Sequence, residues 1–252
     1  MSGAAVTADW VTFPSIGGEI RGYLALPSGS AGPAAGRRCV VMAHENLGVT
    51  PHREEVTRRL AGEGYATLTV DLFTRAGGAP SEYSSPADRR IKAFLSATDD
   101  QAVPDVLAGL RFLAGVDGVD ATRAGVIGFC MGGGTAIAAA LLGDAFKAAV
   151  SLYALPVLLP EYATSGRPVD RIAQAPAIRC PIQFHFGEQD EVIPLDQVQR
   201  LDAAARTTGL PVETYTYAGA GHAYHDDTHR NHAPAAAALT WERALAFFGT
   251  HL

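Results

Sequence analysis

A cysteine lies in the middle of a glycine-rich turn, where its type and spacing favour nucleophilic chemistry. The segment Gly128-Phe-Cys130-Met-Gly132 follows an apolar run and precedes an Ala-rich one. It has the G-x-S-x-G pattern with Cys in place of Ser, which is typical of a sharp strand-to-helix turn that exposes the nucleophile. The positive end of the following helix would favour a thiolate. The alternative is that Cys130 is a buried structural cysteine.

An acid and a base that could complete a triad follow in the order nucleophile, acid, base. Asp190 comes shortly after an apolar run in Gly187-Glu-Gln-Asp190, and His222 ends the glycine-rich stretch Gly219-Ala-Gly-His222. We expect Asp190 to fix the tautomer of His222 and to stabilise its cation, while His222 moves the proton. The alternatives are an aspartate that caps the next helix and a surface histidine.

The remaining thiols and a histidine-rich stretch are assigned no chemistry. Cys39 and Cys180 stand at the starts of apolar runs and are predicted to be small core residues. The stretch His225–His232 contains several potential metal ligands, but their spacing fits no standard zinc pattern and a solvated loop explains it equally well. We therefore expect neither a metal nor a cofactor.

The elements that must position these residues alternate between strands and helices. Short apolar runs predict strands at Val11–Phe13, Glu19–Leu26, Cys39–Ala43, Tyr65–Val70, Arg123–Gly128, Phe146–Tyr153, Pro181–Gly187 and Val212–Tyr217. Helical patterns separate them at Pro51–Glu63, Ala87–Leu95, Asp100–Leu113, Met131–Leu142, Leu195–Thr207 and Ala235–Phe248. Turn-forming residues predict irregular segments at Ser28–Gly36, Thr74–Pro86 and Pro156–Pro176.

This alternation predicts an α/β fold, with a mostly parallel central sheet and helices on both faces. No repeat and no shift in composition divides residues 1–252, so we predict a single domain with a minimal lid. Ligands of such sheets bind beyond the carboxyl ends of the strands. Phe73 and Tyr153 follow or end predicted strands and are candidate substrate contacts there.

Composition excludes several classes of function. The net charge is −6 and the arginines form pairs rather than a cluster, which argues against nucleic-acid binding. No apolar run reaches the ~18 residues of a membrane span, and no secretory signal begins the chain. Three cysteines without such a signal indicate reduced thiols in the cytoplasm. We expect a monomer or small homo-oligomer.

The cysteine turn and three further motifs together resemble the dienelactone hydrolases. The motifs are His44-Glu-Asn-Leu-Gly48, Gly64-Tyr-Ala66 and Val70-Asp-Leu-Phe73. The resemblance runs from about Gly22 to Phe248 and departs from the family where Val70 replaces the usual proline before Asp71. It implies an α/β-hydrolase fold and a carboxymethylenebutenolidase-like activity, of the kind used in the degradation of aromatic compounds.

The resemblance also implies a role for each matching residue. Cys130 would attack the carbonyl and form an acyl-enzyme, and Glu45 matches the glutamate that helps to generate the thiolate in the family. A buried carboxylate needs a partner, so a salt bridge to an arginine such as Arg53 is a compatible alternative for Glu45. The backbone N–H groups of Met131 and Asn46 would form the oxyanion hole.

Two arginines hold the carboxylate of the family's dienelactone substrate. Arg90 falls at the position of the first, where the alternative is an exposed helix arginine. The second should lie four residues after the catalytic histidine, but Asp226 stands there and would repel a carboxylate. Arg230 or Arg75 could substitute for it.

Three functions remain open from the sequence. The first is a cysteine hydrolase of a small lactone or ester that resembles dienelactone hydrolase. The second is a hydrolase of the same architecture that acts on a different ester, a thioester or a xenobiotic lactone. The third is a non-catalytic protein in which Cys130 is a redox-sensing thiol.

Overall fold

A computed structural model describes residues 5–28, 36–158, 160–162 and 170–252. Most of the predicted loop Ser28–Gly36 and part of the predicted irregular segment Pro156–Pro176 lie outside the described residues. The strands are β1 (Val6–Ser15), β2 (Gly18–Pro27), β3 (Arg37–Ala43), β4 (Ala66–Val70), β5 (Val119–Phe129), β6 (Ala148–Leu152), β7 (Ile182–Gly187) and β8 (Val212–Tyr217). The α-helices are α1 (Pro51–Gly62), α2 (Pro86–Ser96), α3 (Asp99–Ala114), α4 (Met131–Ala140), α5 (Arg171–Gln174), α6 (Leu195–Arg206) and α7 (Pro234–His251).

The eight strands form one sheet in the order β1-β2-β4-β3-β5-β6-β7-β8. The β1–β2 and β2–β4 pairs are antiparallel, and every other pair is parallel. The predicted α/β fold with a mostly parallel sheet is therefore confirmed. Because β3, β5, β6 and β7 are parallel neighbours, the loops that follow them meet at one edge of the sheet.

Helices cover both faces of this sheet. Gly109 of α3 lies against Leu68 and Val41, which are register partners and share one face. Gly125 pairs with the residue before Val41 and so faces the opposite side, where Phe248 of α7 packs on it. The sheet is thus enclosed between α3 and α7, which explains why β4, β6 and β7 are buried along their whole length.

Helix α1 lies on the same face as α7. Its Thr57 hydroxyl bonds to that of Thr69 at 2.6 Å. Thr69 follows Leu68 in β4 and therefore points to the face opposite α3. The guanidinium of Arg59 stacks 4.2 Å from the Trp241 ring of α7. Helix α1 begins sharply because the Thr50 side chain accepts a hydrogen bond from a backbone N–H in the first turn and proline follows it.

Some predicted boundaries were wrong. Strand β1 extends over ten residues instead of the predicted Val11–Phe13, because it pairs with β2 along its full length despite Asp9 and Pro14. Helix α5 was not predicted; it is four residues long and capped by Asp170. No helix among the described residues combines the length and apolarity that a membrane crossing requires.

Candidate active site

Cys130 occupies the turn between β5 and α4. Its φ of 53° and ψ of −112° form a conformation that costs a non-glycine residue about 1–3 kcal/mol. The Cys130 N–H donates to the carbonyl oxygen of Leu152 at 2.9 Å, which ties the turn to β6. The sulfur is half-buried and lines a cavity of about 470 Å³.

Two glycines make this turn possible because backbone passes close to both. A Cβ on Gly128 would lie 1.9 Å from the carbonyl oxygen of Gly132. A Cβ on Gly132 would lie 2.3 Å from the carbonyl oxygen of Ala43, the last residue of β3. Any larger residue at either position must displace backbone, so the glycines of the motif set the position of the sulfur.

The structure brings the predicted nucleophile, base and acid together. His222 Nε2 lies 3.2 Å from Cys130 Sγ, and His222 Nδ1 lies 2.8 Å from Asp190 Oδ2. The other oxygen of Asp190 accepts hydrogen bonds from the N–H groups of Val192 and Ile193 at 2.8 and 3.2 Å. Asp190 therefore both caps the chain that follows it and orients His222.

The ring of His222 holds its proton strongly. Burial opposes the charged form, but the negative charges of Cys130 and Asp190 prevail and raise the pKa of His222 to about 10.

The other two cysteines of the chain are more deeply buried than Cys130. Cys39 and Cys180 are buried as predicted, and burial raises the pKa of each to about 12. Neither can supply an appreciable thiolate at neutral pH.

His44, the first residue of the motif His44-Glu-Asn-Leu-Gly48, fixes the loop that carries Glu45. His44 Nε2 accepts a hydrogen bond from the Leu72 N–H at 3.0 Å, so its proton is on Nδ1. That nitrogen donates to the carbonyl oxygen of Glu45 at 2.6 Å. Burial, partly offset by this hydrogen bond, lowers the pKa of His44 and keeps the ring neutral.

Glu45 lies in the wall of the cavity and is paired from behind. Arg53 Nη2 lies 2.7 Å from Glu45 Oε2, which is the salt bridge anticipated from the sequence. The Arg53 guanidinium is fully buried and stacks 3.5 Å from the centre of the Phe129 ring. The pair lets a carboxylate stand next to the nucleophile without being an isolated buried charge.

The two candidate oxyanion-hole amides belong to the residue after Cys130 and to a residue that lines the same cavity. Met131 is the first residue of α4, where the backbone N–H has no acceptor within the helix. Asn46 follows Glu45 and lines the cavity beside Cys130. Across the segments that the structure describes, no hydrogen-bond acceptor faces the Asn46 N–H. Both donors are thus available to a ligand.

The cavity above Cys130 measures about 470 Å³, and its lining includes three arginines, two histidines and two carboxylates. Arg90 lines it, as expected, and so do Arg89, Arg230 and His229, of which only Arg230 was anticipated. The Nε atoms of Arg89 and Arg90 are buried and lack a hydrogen-bond partner among the described residues. Sequence spacing gave no sign of Arg89 and His229, because the fold alone brings their segments together.

Two predicted substrate contacts are corrected by the structure. Phe73 is fully buried and packs on the His44 ring with centroids 4.9 Å apart. Tyr153 is buried beneath His222, its ring edge-on with centroids 5.3 Å apart. Neither lines the cavity, so both support the site from behind. Their position at strand ends suggested exposure, but neighbouring rings cover them.

A third correction concerns Arg75, which was named as a possible substrate-binding arginine. Arg75 instead forms a bidentate pair with the buried carboxylate of Asp105, away from the cavity. Asp226 does line the cavity. Burial opposes ionisation of Asp226, but hydrogen bonds from the Thr228 hydroxyl and N–H outweigh it, with help from nearby cations, and lower the pKa of Asp226.

Comparison with known proteins gives a consistent result over nearly the whole chain. The profile of the Dienelactone hydrolase family matches residues 20–252. A Salmonella typhimurium protein named "Putative carboxymethylenebutenolidase" is 30% identical over 98% of this chain and 88% of its own length. A Bradyrhizobium protein named "Probable 2-oxo-3-(5-oxofuran-2-ylidene)propanoate lactonase" is 28% identical over 100% and 98% of the two chains.

A solved structure extends the likeness to three dimensions. The crystal structure titled "Putative Dienelactone Hydrolase" from Klebsiella pneumoniae subsp. pneumoniae MGH 78578 superimposes with a TM-score of 0.87 at 28% identity. The match covers 98% of this chain and 99% of that one. With this agreement in sequence and fold, the chain belongs to the dienelactone hydrolase family, a family of carboxylic ester and lactone hydrolases.

Proposed function

We propose that this protein hydrolyses a small lactone or ester with Cys130 as the nucleophile. The observation that carries the proposal is the continuous line of contacts Cys130–His222–Asp190 at the base of the cavity, with spacings of 3.2 and 2.8 Å. The raised pKa of His222 favours the imidazolium form of its ring. The thiolate is the reactive form of a cysteine nucleophile.

The reaction proceeds in two halves. The sulfur of Cys130 attacks the carbonyl carbon, and the C=O electron pair moves to the oxygen, which the Met131 and Asn46 N–H groups stabilise. When this intermediate collapses, the C–O bond breaks and the leaving alkoxide takes the proton of His222. A water that His222 deprotonates then attacks the thioester and releases the acid and the thiolate. In a lactone the alkoxide remains attached to the acyl chain as a hydroxyl group.

We further propose that the substrate carries a carboxylate. Arg90 and Arg230 line the cavity together with Arg89, and the described residues leave the buried Arg90 Nε without a partner. Guanidinium groups bind carboxylates well because they donate in pairs. The Bradyrhizobium relative is named for a substrate that combines a lactone ring with a propanoate group. The same cavity would accept an unrelated ester or thioester that carries a negative charge.

The proposal is tested with an activated ester such as a p-nitrophenyl ester. The unchanged protein should release a burst of p-nitrophenol, and intact-mass spectrometry should find one acyl group on Cys130. Cys130→Ala should show neither. Cys180→Ala is the matched control, since its buried thiol should not matter to turnover. A thiol that reacts with disulfide reagents but never turns over an ester would contradict the proposal and favour the redox-sensing alternative.

A further inference from the structure

Three potential metal ligands from separate parts of the chain lie close together beside the active site. His52 is the second residue of α1, and Asp226 and Asp227 belong to the loop between His222 and α7. His52 Nδ1 lies 2.7 Å from Asp227 Oδ1 and 3.8 Å from Asp226 Oδ1. Among the described residues this is the one group of three such side chains whose ligand atoms all lie within 4.8 Å of one another.

The spacing of these atoms is close to that of ligands around a metal ion. A zinc ion about 2.0–2.1 Å from each ligand holds neighbouring ligand atoms roughly 3.3 Å apart. The distances of 2.7 and 3.8 Å lie on either side of this value. Shifts of less than about 1 Å, together with transfer of the His52 Nδ1 proton to Nε2, would therefore convert the hydrogen-bonded cluster into a coordination site. The His52 ring and the Asp226 carboxylate are already buried, which limits the freedom that binding would remove.

A second, independent observation points to a ligand here. His225 is 4% exposed, and its Nδ1 is buried without a hydrogen-bond partner among the described residues; the same is true of His52 Nε2. The two rings lie 6.2 Å apart and line one cavity of about 220 Å³, together with Asp227. Buried ring nitrogens without partners cost about 1–3 kcal/mol each, so water that enters this cavity with an ion would stabilise the site by bonding to them.

We propose that His52, Asp226 and Asp227 form a binding site for a borderline divalent cation of the zinc type. Mixed imidazole and carboxylate ligands suit zinc and its neighbours in the first transition series. Two cations stand nearby, but each is engaged elsewhere: Arg59 stacks on Trp241 and Arg53 pairs with Glu45. Among the described residues neither carboxylate pairs with an arginine, and an added ion would compete only with the hydrogen bonds from Thr228 to Asp226 and from His52 to Asp227.

A bound cation would connect α1 to the loop that carries the catalytic histidine. Asp226 lies four residues after His222 and also lines the catalytic cavity. The ion would therefore offset the negative charge of Asp226 in that wall and hold the loop in place. The site itself does not depend on the proposed hydrolytic mechanism, because none of its ligands belongs to the triad.

The test uses Zn²⁺ and the full chain with Cys130→Ser, since a thiolate next to His222 would itself bind zinc. Isothermal titration should find one Zn²⁺ per chain, and zinc should raise the melting temperature of this protein. Adding His52→Gln or Asp227→Ala should weaken binding at least tenfold and remove the thermal shift. Asp227 is largely exposed, so its replacement leaves the fold intact; circular dichroism without metal checks this.

His229→Gln in the same background is the matched control. His229 lines the catalytic cavity but lies outside the proposed ligand set, so this variant should bind zinc unchanged. The proposal is overturned if zinc does not bind, or if binding survives His52→Gln and Asp227→Ala. Loss of binding with His229→Gln alone would place the ion in the catalytic cavity and would equally reject the site.

Discussion

Arg90 and Arg230 face the same cavity as Asp226, so the binding of an anionic substrate depends on the balance of their charges. Removal of either guanidinium should remove a charge-assisted hydrogen bond, which contributes about 1.5–3 kcal/mol. We expect Arg90→Gln and Arg230→Gln each to lower kcat/KM for a carboxylate-bearing lactone by about tenfold or more. Asp226→Asn should instead raise kcat/KM for the same lactone. Steady-state kinetics measure these effects.

A neutral ester separates recognition from catalysis in these variants. Its kcat/KM should change by less than about twofold, because charge-assisted bonds to a carboxylate are absent. Arg206→Gln is the control, since Arg206 pairs with Asp202 on the surface. Equal losses on the charged and neutral substrates would show that the arginines support the site without binding a carboxylate.

At the scale of single residues, roles that a local sequence pattern indicates were predicted, whereas contacts between residues far apart in the chain were not. Cys130 and His222 stand in glycine-rich stretches whose spacing is visible in the sequence, and the structure places them 3.2 Å apart. The proximity of His52 to Asp226 was not anticipated because the two residues are far apart in the chain. Arg75 was misplaced for the same reason, since its partner Asp105 follows 30 residues later.

Among the elements, the turn between β5 and α4 has the least tolerance for change. Gly132→Ala would bring a methyl group to 2.3 Å from the carbonyl oxygen of Ala43. We expect it to lower the free energy of unfolding by about 3 kcal/mol or more and to abolish ester hydrolysis, because backbone must move. Urea denaturation and the p-nitrophenyl ester assay measure the two effects.

Gly62→Ala provides the comparison for this glycine change. Gly62 ends α1 with open space around its Cα, so alanine should leave activity unchanged and stability equal or higher by up to about 1 kcal/mol. If Gly132→Ala behaved like Gly62→Ala, the packing of the turn against β3 would not determine the position of the sulfur.

Elements were predicted well where a buried apolar run defined them. Strands β3 and β4 are buried almost throughout. Val40 and Leu68 lie in runs, Cys39–Ala43 and Ala66–Val70, that contain no charged residue. Strand β1 was underestimated because its pairing with β2, not its composition, makes it extended. Helix α5 was missed because four residues carry no periodic pattern.

The whole molecule should lose stability in mild acid because it buries neutral histidines. Burial, with a contribution from Arg243, lowers the pKa of His185 to about 3, and burial also lowers those of His44 and His225. An unfolded histidine has a pKa near 6.5. At these three sites the unfolded chain binds more protons below pH 6.5, so the stability that their neutral rings contribute is complete above pH 6.5 and decreases as the pH falls.

The expected change can be measured by urea denaturation at pH 7.5 and pH 5.0. His185 alone should lower the free energy of unfolding by up to about 2 kcal/mol over this interval. His185→Gln removes the titrating ring beside Gln183 and Tyr217 and should show a smaller difference between the two pH values. Identical pH dependence in both proteins would exclude His185 as a source of acid sensitivity.

The backbone at Cys130 places reactivity and durability in opposition. Its positive φ is a conformation that glycine adopts freely, so a glycine there would relax the bend and yield a tougher but inert protein. The most robust sequence for this scaffold is thus not the one that turns over substrate. In relatives that are no longer selected for the activity, Cys130 should be among the first residues to be replaced, and glycine is the residue expected at position 130.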